Sequence, residues 1–343
     1  MDTEPPIPSA PLLDETDRAR IAAALRYMGR DLHQRSFGVS PERRRLLWQE
    51  MDRCLELAER IGEEEVPEEL PAPADSPSCA LITGASSGIG AALARKLAPS
   101  LAGTGATLVL TARRRDRLEA MAADLQDRHG LPVVAIATDL ARPGGVGQLL
   151  MELRRRGLTV ETLVNNAGFG LRGDFDAVPW EQAEAMLQLM VVTCTELCHA
   201  LLPGMRRSGQ GRIVNVASLA GLVPGLPGST LYSACKAFLI RFSQSLALEN
   251  RPHGVRVMVV CPGYVHTEFH GVLGVQERMD RLPGLFWMEA DDLAGRTLKA
   301  LEGRRTLVVP GLVNRTIATL ARLLPENAAT ALSSSFSRRY RQR

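Results

Sequence analysis

The chain has 343 residues, of which 45% are hydrophobic, and a formal net charge of +3 from 41 basic and 38 acidic side chains. This length fits one large α/β domain with an appendage, and the near balance of charge argues against a nucleic-acid partner. The six cysteines form no CxxC pair, so we expect reduced, mostly buried thiols, no metal site and a cytoplasmic location.

Residues 1–62 are predicted to form a helical extension. Its start, residues 1–11, lacks the basic residues and apolar run of a secretory signal. Ser40-Pro41-Glu42 is typical of a helix start, with an N-cap hydroxyl, a proline at the first position and an acid near the positive helix end. Two sets of apolar residues recur every three or four positions, and each set would share one helix face: Ile21, Leu25, Met28 and Leu32, then Leu47, Met51, Cys54, Ala58 and Ile61. We expect these helices to pack within the chain or on a partner subunit.

Residues 63–78 are acidic and proline-rich and are predicted to be an extended linker. From 79 to 325, short β-rich runs alternate with amphipathic stretches, and no apolar stretch is expected to have the length of a membrane-spanning helix. The predicted strands are Ala80–Thr83, Thr107–Thr111, Val133–Ala137, Thr162–Val164, Arg212–Val216, Val255–Val260 and Thr306–Val309. This alternation predicts a Rossmann-like α/β domain, a doubly wound parallel sheet of about seven strands. Residues 326–343 are predicted to be a polar, basic tail.

The first predicted strand runs directly into a glycine-rich loop, Thr83-Gly84-Ala85-Ser86-Ser87-Gly88-Ile89-Gly90, after which a helix begins. The first glycine lets the chain turn tightly, and the later ones let the backbone approach a pyrophosphate and let helix and strand pack closely. The N–H groups and positive dipole of the helix start favour phosphates. We therefore predict a dinucleotide site that includes Gly84, Ser86, Ser87, Gly88, Ile89 and Gly90.

The end of the second predicted strand indicates which dinucleotide is bound. NAD sites usually carry an acid there that binds the ribose 2′-hydroxyl. This chain instead has Leu110-Thr111-Ala112-Arg113-Arg114-Arg115, and a guanidinium can bind a 2′-phosphate through two parallel hydrogen bonds. Arg113 and Arg114 therefore predict NADP(H) in preference to NAD(H), with at least one of the three arginines expected to be the exposed start of the next helix.

Three further residues predict acid–base chemistry on a substrate oxygen. Tyr232 and Lys236 are four positions apart, so they share one helix face. Tyrosine titrates near ~10, and a nearby positive charge favours its ionised form. Lys236, helped by an oxidised nicotinamide ring, is therefore expected to bring Tyr232 into range for general acid–base catalysis. Ser218 ends a central strand, where such sheets bind ligands, and its hydroxyl can hold the substrate oxygen.

Residues 79–312 resemble the classical short-chain dehydrogenases/reductases. The motifs that carry the resemblance are Thr83–Gly90, Asn165-Asn166-Ala167-Gly168, Ser218, Tyr232 with Lys236, and Pro262-Gly263, in that family's order. The resemblance implies that Asp139 and Leu140 lie at the adenine ring, that Asn166, Ala167 and Gly168 support the sheet and cofactor, that Lys236 also binds the nicotinamide ribose, and that Pro262, Gly263, Val265 and Thr267 flank the nicotinamide. It also implies proton donation from Tyr232 during reduction, and a homo-oligomer formed through the helices at Trp180–Leu202 and Tyr232–Leu248.

One position departs from the family pattern. Members usually carry an asparagine in the helix before the serine strand, where it holds a water of a proton relay. That place falls on Met190, which cannot hold such a water, unless the register is shifted towards Gln188. The leading prediction is an NADP(H)-dependent reductase of a ketone or aldehyde. An alcohol dehydrogenase working in the oxidative direction and a cofactor-binding scaffold or sensor with little turnover are the alternatives.

Two C-terminal stretches bear on the substrate. Residues 269–288 are rich in apolar side chains and contain glycines, which predicts a lid over a small, hydrophobic substrate. Further on, an amphipathic stretch lies close to Arg315 and Arg322; its apolar members are Ile317, Leu320, Leu323 and Leu324. It is predicted to cap the domain, with a subunit interface or a membrane surface as alternatives.

Overall fold

The computed structural model describes residues 40–62, 77–171, 173–225, 227–269 and 282–325, together with single positions 21, 25, 327, 328, 330 and 331. The chain divides into two compact units, Met1–Pro71 and Ala72–Arg343. In the first unit, helix α1 spans Pro41–Gly62. The N–H of Arg43 donates to Ser40 Oγ at 3.4 Å, so the helix begins where the N-cap pattern predicts. The remainder of the earlier predicted helix, most of the linker and the end of the basic tail lie outside the described residues.

The second unit alternates strands with helices, as the sequence predicts. Its elements are β1 Ser78–Thr83, α2 Gly88–Leu101, β2 Thr107–Ala112, α3 Arg115–His129, β3 Val133–Ala137, α4 Gly145–Arg155, β4 Thr159–Asn165, α5 Trp180–Leu187, α6 Thr193–Ser208, β5 Gly211–Val216, α7 Thr230–Asn250, β6 Val255–Val260, β7 Tyr264–His266, β8 Trp287–Glu289, α8 Ala290–Glu302, β9 Leu307–Val308 and α9 Leu312–Leu323. A π-helical turn, Gln188–Val192, joins α5 to α6. A short 3₁₀ turn, Gly284–Phe286, precedes β8.

Seven strands form one parallel sheet in the order β3-β2-β1-β4-β5-β6-β9. The predicted doubly wound sheet is thus confirmed. The strand order reverses between β1 and β4, and open sheets of this type bind ligands in the crevice at that point. A second sheet, in which β7 pairs with β8 in parallel, was not predicted. Its strands are only three residues long, too short for a recognisable alternation of side chains.

The sheet is covered on both faces because both faces of its central strands are apolar. Leu81 and Ile82 are adjacent in β1 and fully buried, yet they belong to two different core clusters. Successive side chains of a strand point to opposite faces, so these two residues mark the two cores. Leu93 of α2 packs in the same cluster as Ile82, and Leu197 of α6 packs in the same cluster as Leu81.

The helix that runs from Trp180 to Ser208 is, by length and composition, apolar enough to cross a membrane. The expectation that no apolar stretch has this length is therefore wrong for this segment. Part of this apolarity serves the core, since 44% of its most apolar 18-residue stretch is buried. Leu197, Cys198 and Leu202 pack in the core cluster beneath the sheet, and core helices have the same composition as short membrane spans.

A buried polar chain joins β4, β5 and α7. Asn165 Nδ2 donates to Asn215 Oδ1 at 2.9 Å, and Asn215 Nδ2 donates to Ser243 Oγ at 2.8 Å. The Ser243 hydroxyl in turn donates to the Leu239 carbonyl at 2.6 Å. Asn215 and Ser243 are fully buried, so each lost partner leaves a polar group without water. These hydrogen bonds hold α7, which contains Tyr232 and Lys236, against the central strands.

We expect Asn215→Ala to lower the midpoint of thermal unfolding by about 4–8 °C, because loss of the amide leaves buried partners unsatisfied at a cost of roughly 2 kcal/mol. Arg212→Ala, an exposed position on the same strand, is the control and should shift the midpoint far less. The measurement is a thermal melt followed by circular dichroism. Equal midpoints for the two variants would show that the polar chain does not stabilise the fold.

Candidate active site

The carboxyl ends of β1 and β4 are tied together by Thr83 and Asn166. The N–H groups of Asn166 and Ala167 both donate to Thr83 Oγ1 at 3.0 Å, and that hydroxyl donates to the Val164 carbonyl at 3.3 Å. Asn166 Nδ2 donates to the carbonyls of Thr83 at 2.9 Å and Gly84 at 3.3 Å. Side chains thereby replace ladder hydrogen bonds where the two strands separate.

The glycine-rich loop packs so closely against Thr83, Asn166 and Ala167 that two of its positions have no room for a side chain. Gly84 has φ of +68°, and a Cβ placed there would lie 2.8 Å from Ala167 Cα. A Cβ on Gly90 would lie 2.5 Å from Asn166 Nδ2 and would strike the Gly84 carbonyl oxygen. Helix α2 begins at Gly88, so its first N–H groups open towards the crevice. The glycines are therefore required for close packing, as the sequence predicts.

Arg114 extends over the same loop. Its Nη2 donates to Ser87 Oγ at 2.6 Å and to Ser86 Oγ at 3.3 Å. Its Nη1 forms an ion pair with Glu268 at 3.1 Å, and Glu268 also pairs with Arg117 at 2.7 Å. The hydrogen bonds from Arg117 and then from Arg114 hold the pKa of the Glu268 carboxyl below its ordinary value.

The other two arginines of the run are more exposed. Arg113 lines the crevice, whereas Arg115 is the first residue of α3 and pairs with Glu119 on that helix at 3.4 Å. One of the three is therefore a helix start, as the sequence analysis expects. A cation at Arg113 and another at Arg114 consequently lie on the wall of the crevice, beside the glycine-rich loop.

The three residues predicted to act on the substrate oxygen come from two elements. Ser218 follows β5, and its Oγ accepts a hydrogen bond from the N–H of Ala220 at 3.1 Å. Tyr232 and Lys236 are on α7, and Lys236 Nζ lies 5.6 Å from the centre of the Tyr232 ring. All three side chains line one cavity. The ring of Tyr232 also contacts that of Phe269, with ring centres 5.8 Å apart.

Lys236 is a buried amine. It is 5% exposed, and its Nζ donates to the Val216 carbonyl at 2.8 Å. Burial lowers its pKa, while the thiols of Cys194, Cys235 and Cys261 act in the opposite direction. Burial also raises the pKa of Cys194 to about 11 and of Cys261 to about 12, so these thiols are neutral at pH 7. Any ammonium at Lys236 therefore gains little from them and would favour a negative oxygen at Tyr232.

Met190, at the place where the family usually has asparagine, lies in the π-helical turn and lines the cavity. It is 1% exposed. Its methyl carbon is 2.9 Å from the point where a Cβ on Gly168 would lie, and Lys236 Nζ is 3.7 Å from that same point. Single π-helical turns often occur at functional sites. A thioether thus occupies the space beside the lysine, and Gln188 is not part of the wall.

The cavity has a volume of about 1010 Å³, at the upper end of the range for small-molecule sites. Every predicted site residue except Gly90 lines it, and Gly90 acts by packing instead. The lining set includes Gly84, Ser86, Ser87, Gly88, Ile89, Arg113, Arg114, Asp139, Leu140, Asn166, Ala167, Gly168, Ser218, Tyr232, Lys236, Pro262, Gly263, Val265 and Thr267. A glycine cradle closed to any Cβ, guanidinium groups at one end and a buried amine at the other suit a phosphorylated dinucleotide.

Sequence reasoning missed Glu268 and Asn314. Glu268 reaches Arg117 across 151 positions of the chain. Asn314 is 6% exposed on the inner face of α9, lines the cavity, and would obstruct any Cβ on Gly263. The sequence has no signal for Asn314, because the leucines that mark the apolar stripe of α9 are exposed on the opposite side of the helix. The predicted lid lies largely outside the described residues, although Phe269, Pro283 and Phe286 at its two ends line the cavity.

A metal site is also not found among the described side chains, where no group of three or more His, Cys, Asp or Glu could hold an ion. All six cysteines are free thiols, and five of them are buried. The predicted reduced, mostly buried thiols are therefore what the structure has. Burial keeps them protonated, which makes them poor nucleophiles and poor metal ligands.

A doubly wound sheet with a glycine-rich loop and a Ser, Tyr and Lys set at its switch point defines a class of nucleotide-binding oxidoreductase. The family model for short chain dehydrogenase matches residues 78–277. The chain belongs to this short-chain dehydrogenase family.

Sulfoacetaldehyde reductase of Chromohalobacter salexigens is 39% identical over 224 residues, 63% of this chain and 85% of that protein. Ketoacyl reductase HetN of Nostoc is 31% identical over 229 residues, 67% of this chain and 77% of that protein.

Solved structures agree with this assignment. A short-chain dehydrogenase from Sphingobium yanoikuyae in complex with NADPH has 36% identity and a TM-score of 0.63, covering 75% of this chain and 94% of that one. L-Sorbose reductase from Gluconobacter frateurii, complexed with NADPH and L-sorbose, has 30% identity and a TM-score of 0.59, covering 69% and 95%. The family model begins at Ser78, the first residue of β1, and so does not include α1.

We expect Gly90→Ala to weaken NADPH binding by at least about tenfold, because the added methyl group would push α2 away from Asn166 and distort the loop. Gly147→Ala is the matched control, since a Cβ on that helical glycine has nothing within 4 Å and alanine favours a helix. Both variants would be titrated with NADPH by fluorescence. Unchanged affinity in Gly90→Ala would contradict the need for close packing.

Proposed function

We propose that this chain is an NADP(H)-dependent oxidoreductase that transfers a hydride between the nicotinamide ring and a carbonyl or alcohol carbon of an apolar substrate. The observation that carries the proposal is the convergence of Ser218, Tyr232 and Lys236 on the cavity that the glycine-rich loop also lines. Reduction of a ketone or aldehyde is the proposed direction. Membership of the short-chain dehydrogenase family supports the reaction class.

In this proposal each residue acts on the substrate oxygen. When bound, the reduced nicotinamide supplies the hydride that carbonyl reduction requires. Ser218 donates a hydrogen bond to the carbonyl oxygen and orients it. Tyr232 gives its phenolic proton to that oxygen, and Lys236 stabilises the phenolate left behind. Lys236 can do so because it is buried beside the Tyr232 ring, and the described groups that act on its charge are neutral thiols rather than carboxylates.

The preference for NADP(H) is proposed from charge at one end of the cavity. Arg114 is held over the loop by Ser86, Ser87 and Glu268, and no carboxylate follows β2 within the run to Arg115. A 2′-phosphate would meet two guanidinium groups there, at Arg113 and Arg114. The NADPH complexes among the similar structures support the same preference.

The substrate is proposed to be apolar and of moderate size. The cavity is lined in part by apolar side chains from well-separated segments of the chain. They are Phe169, Leu189, Val223, Phe269, Phe286 and Ile317. Such a wall excludes water and has few partners for substrate hydroxyl or charged groups, so it favours a hydrocarbon-rich carbonyl compound.

We expect Tyr232→Phe to lower the rate of NADPH-dependent reduction by about 10²- to 10⁴-fold, because the general acid is removed. NADPH binding should stay within about threefold of the wild type, since the ring that contacts Phe269 is retained. The measurement is NADPH oxidation against a panel of apolar ketones and aldehydes, with binding measured in parallel. Turnover unaffected by the change would remove Tyr232 from the reaction. Tight NADPH binding without any turnover in the wild type would instead favour the alternative hypothesis of a cofactor-binding scaffold or sensor.

We expect Arg114→Leu to weaken NADPH binding by about 10- to 100-fold and NADH binding by far less, because a charged hydrogen bond contributes about 1.5–3 kcal/mol. Arg115→Leu is the matched control, since Arg115 belongs to α3, pairs with Glu119 and does not line the cavity. Dissociation constants for both cofactors would be measured for the three proteins. Equal losses of affinity for NADPH and NADH in Arg114→Leu would refute a role for Arg114 in binding the 2′-phosphate.

A further inference from the structure

Helix α9 has two unlike faces. On the inner face Asn314 and Ala318 are buried, and Asn314 and Ile317 line the cavity. On the outer face Leu312 is 72%, Leu320 is 51% and Leu323 is 76% exposed. The packing of the domain explains the inner face, but it leaves three leucines in solvent on a single helix.

The outer leucines form a stripe with arginines beside it. Residues at spacings of eight and three positions fall on one side of a helix, so Leu312, Leu320 and Leu323 align. Arg315 and Arg322, seven positions apart, form an adjacent line and are both exposed. We call these five residues the α9 outer face. An exposed apolar stripe flanked by arginines is the pattern of helices that lie in a membrane interface.

The charge of this end of the chain differs from that of the remainder. Residues 303–343 contain eight of the 41 basic residues and one of the 38 acidic residues, so they carry +7 and the first 302 residues carry −4. Residues 303–325 contain four arginines and neither Asp nor Glu. A positive stretch of this kind attracts an anionic surface, while the acidic remainder of the chain would be repelled by it.

The apolar surface continues onto a second element that also lines the cavity. The 3₁₀ turn Gly284–Phe286 packs against α9. Within it, Leu285 is 62% exposed, while Phe286 lines the cavity. Both elements thus have one side chain facing the cavity and another facing solvent.

We propose that the α9 outer face, with Leu285, docks on an anionic lipid bilayer. A bilayer offers hydrocarbon to the leucines and negative headgroups to the arginines at once. A second copy of the chain offers a poorer match, because a twofold interface would bring Arg315 and Arg322 of both copies together without acidic partners in this stretch. Nucleic acid would satisfy the arginines but leave the leucines in water.

Docking in this orientation sets the two elements that line this part of the cavity, α9 and the Gly284–Phe286 turn, against the bilayer. An apolar molecule dissolved in the lipid would then be close to the apolar part of the cavity wall that includes Phe286 and Ile317. This consequence for the substrate rests on the proposed reductase function, whereas docking itself does not.

The test is co-sedimentation of the full chain with vesicles. Vesicles of phosphatidylcholine with about one-third phosphatidylglycerol are compared with vesicles of phosphatidylcholine alone, at low and high salt. We expect binding to the anionic vesicles, weakening as salt is raised, and at least about tenfold weaker binding to the neutral ones. Two variants should each lose at least about tenfold in affinity for the anionic vesicles: Leu320→Ser/Leu323→Ser and Arg315→Glu/Arg322→Glu.

Matched controls use exposed residues elsewhere in the same domain. Leu248→Ser changes a leucine that is 74% exposed on α7, and Arg155→Glu changes an exposed arginine near the end of α4. Both should bind vesicles as the wild type does, and thermal melts establish that all variants are folded. Absence of binding to anionic vesicles, or equal binding by all variants, would overturn the proposal. Light scattering that shows a smaller particle for Leu320→Ser/Leu323→Ser than for the wild type would assign this face to a contact between copies instead. Because vesicle binding is scored without substrate, failure here is separable from absence of NADPH-dependent turnover.

Discussion

The site depends on how β1 and β4 are joined at the place where the strand order reverses. Parallel strands that diverge leave backbone groups without ladder partners, and these must be satisfied in some other way. The Thr83 hydroxyl and the Asn166 amide do so, each through more than one hydrogen bond. The same contacts bring the glycine-rich loop so close that Gly84 and Gly90 have no space for a Cβ. The same contacts of Thr83 and Asn166 therefore complete the hydrogen bonding at the ends of β1 and β4 and shape the glycine-rich loop.

A second constraint is the buried amine of Lys236, which α7 places in the interior of the protein. Burial of Lys236 opposes its charge, and the Val216 carbonyl compensates only in part. A structural lysine would be expected to have a carboxylate partner, but in the described part of the chain the groups acting on it are protonated thiols. Such an environment destabilises the ammonium unless a negative oxygen is near, and buried groups with pKa values shifted in this way are typical of functional sites. The hydrogen bonds that join Asn165, Asn215 and Ser243 hold α7, which contains this destabilised lysine, against the sheet.

Local patterns predicted most of the fold, whereas contacts between distant segments could not be predicted. Each sheet strand is a short apolar run, and the loop, Tyr232 and Lys236 are recognisable because their spacing is itself the geometry. The pairing of Glu268 with Arg114 and Arg117 joins segments 154 and 151 positions apart and has no local signature. The approach of Asn314 to Gly263 depends on the path of the chain after β9. The π-helical turn around Met190 is a five-residue irregularity within a long apolar helix, which periodicity does not resolve.

Glu268 shows how the two ends of the cavity are connected through the chain. Its carboxylate holds Arg114 and Arg117 at the end where the dinucleotide is expected to carry its phosphates. The next residue, Phe269, contacts the ring of Tyr232 at the other end. A phosphate that binds Arg114 competes with Glu268 for the same guanidinium, since both are anions with oxygen acceptors. Any change in that pairing acts one residue away from Phe269, which contacts Tyr232, and the following segment is the predicted lid. The arginines proposed to bind the cofactor and the tyrosine proposed to act on the substrate are therefore parts of one contact network, even though they are far apart in the sequence.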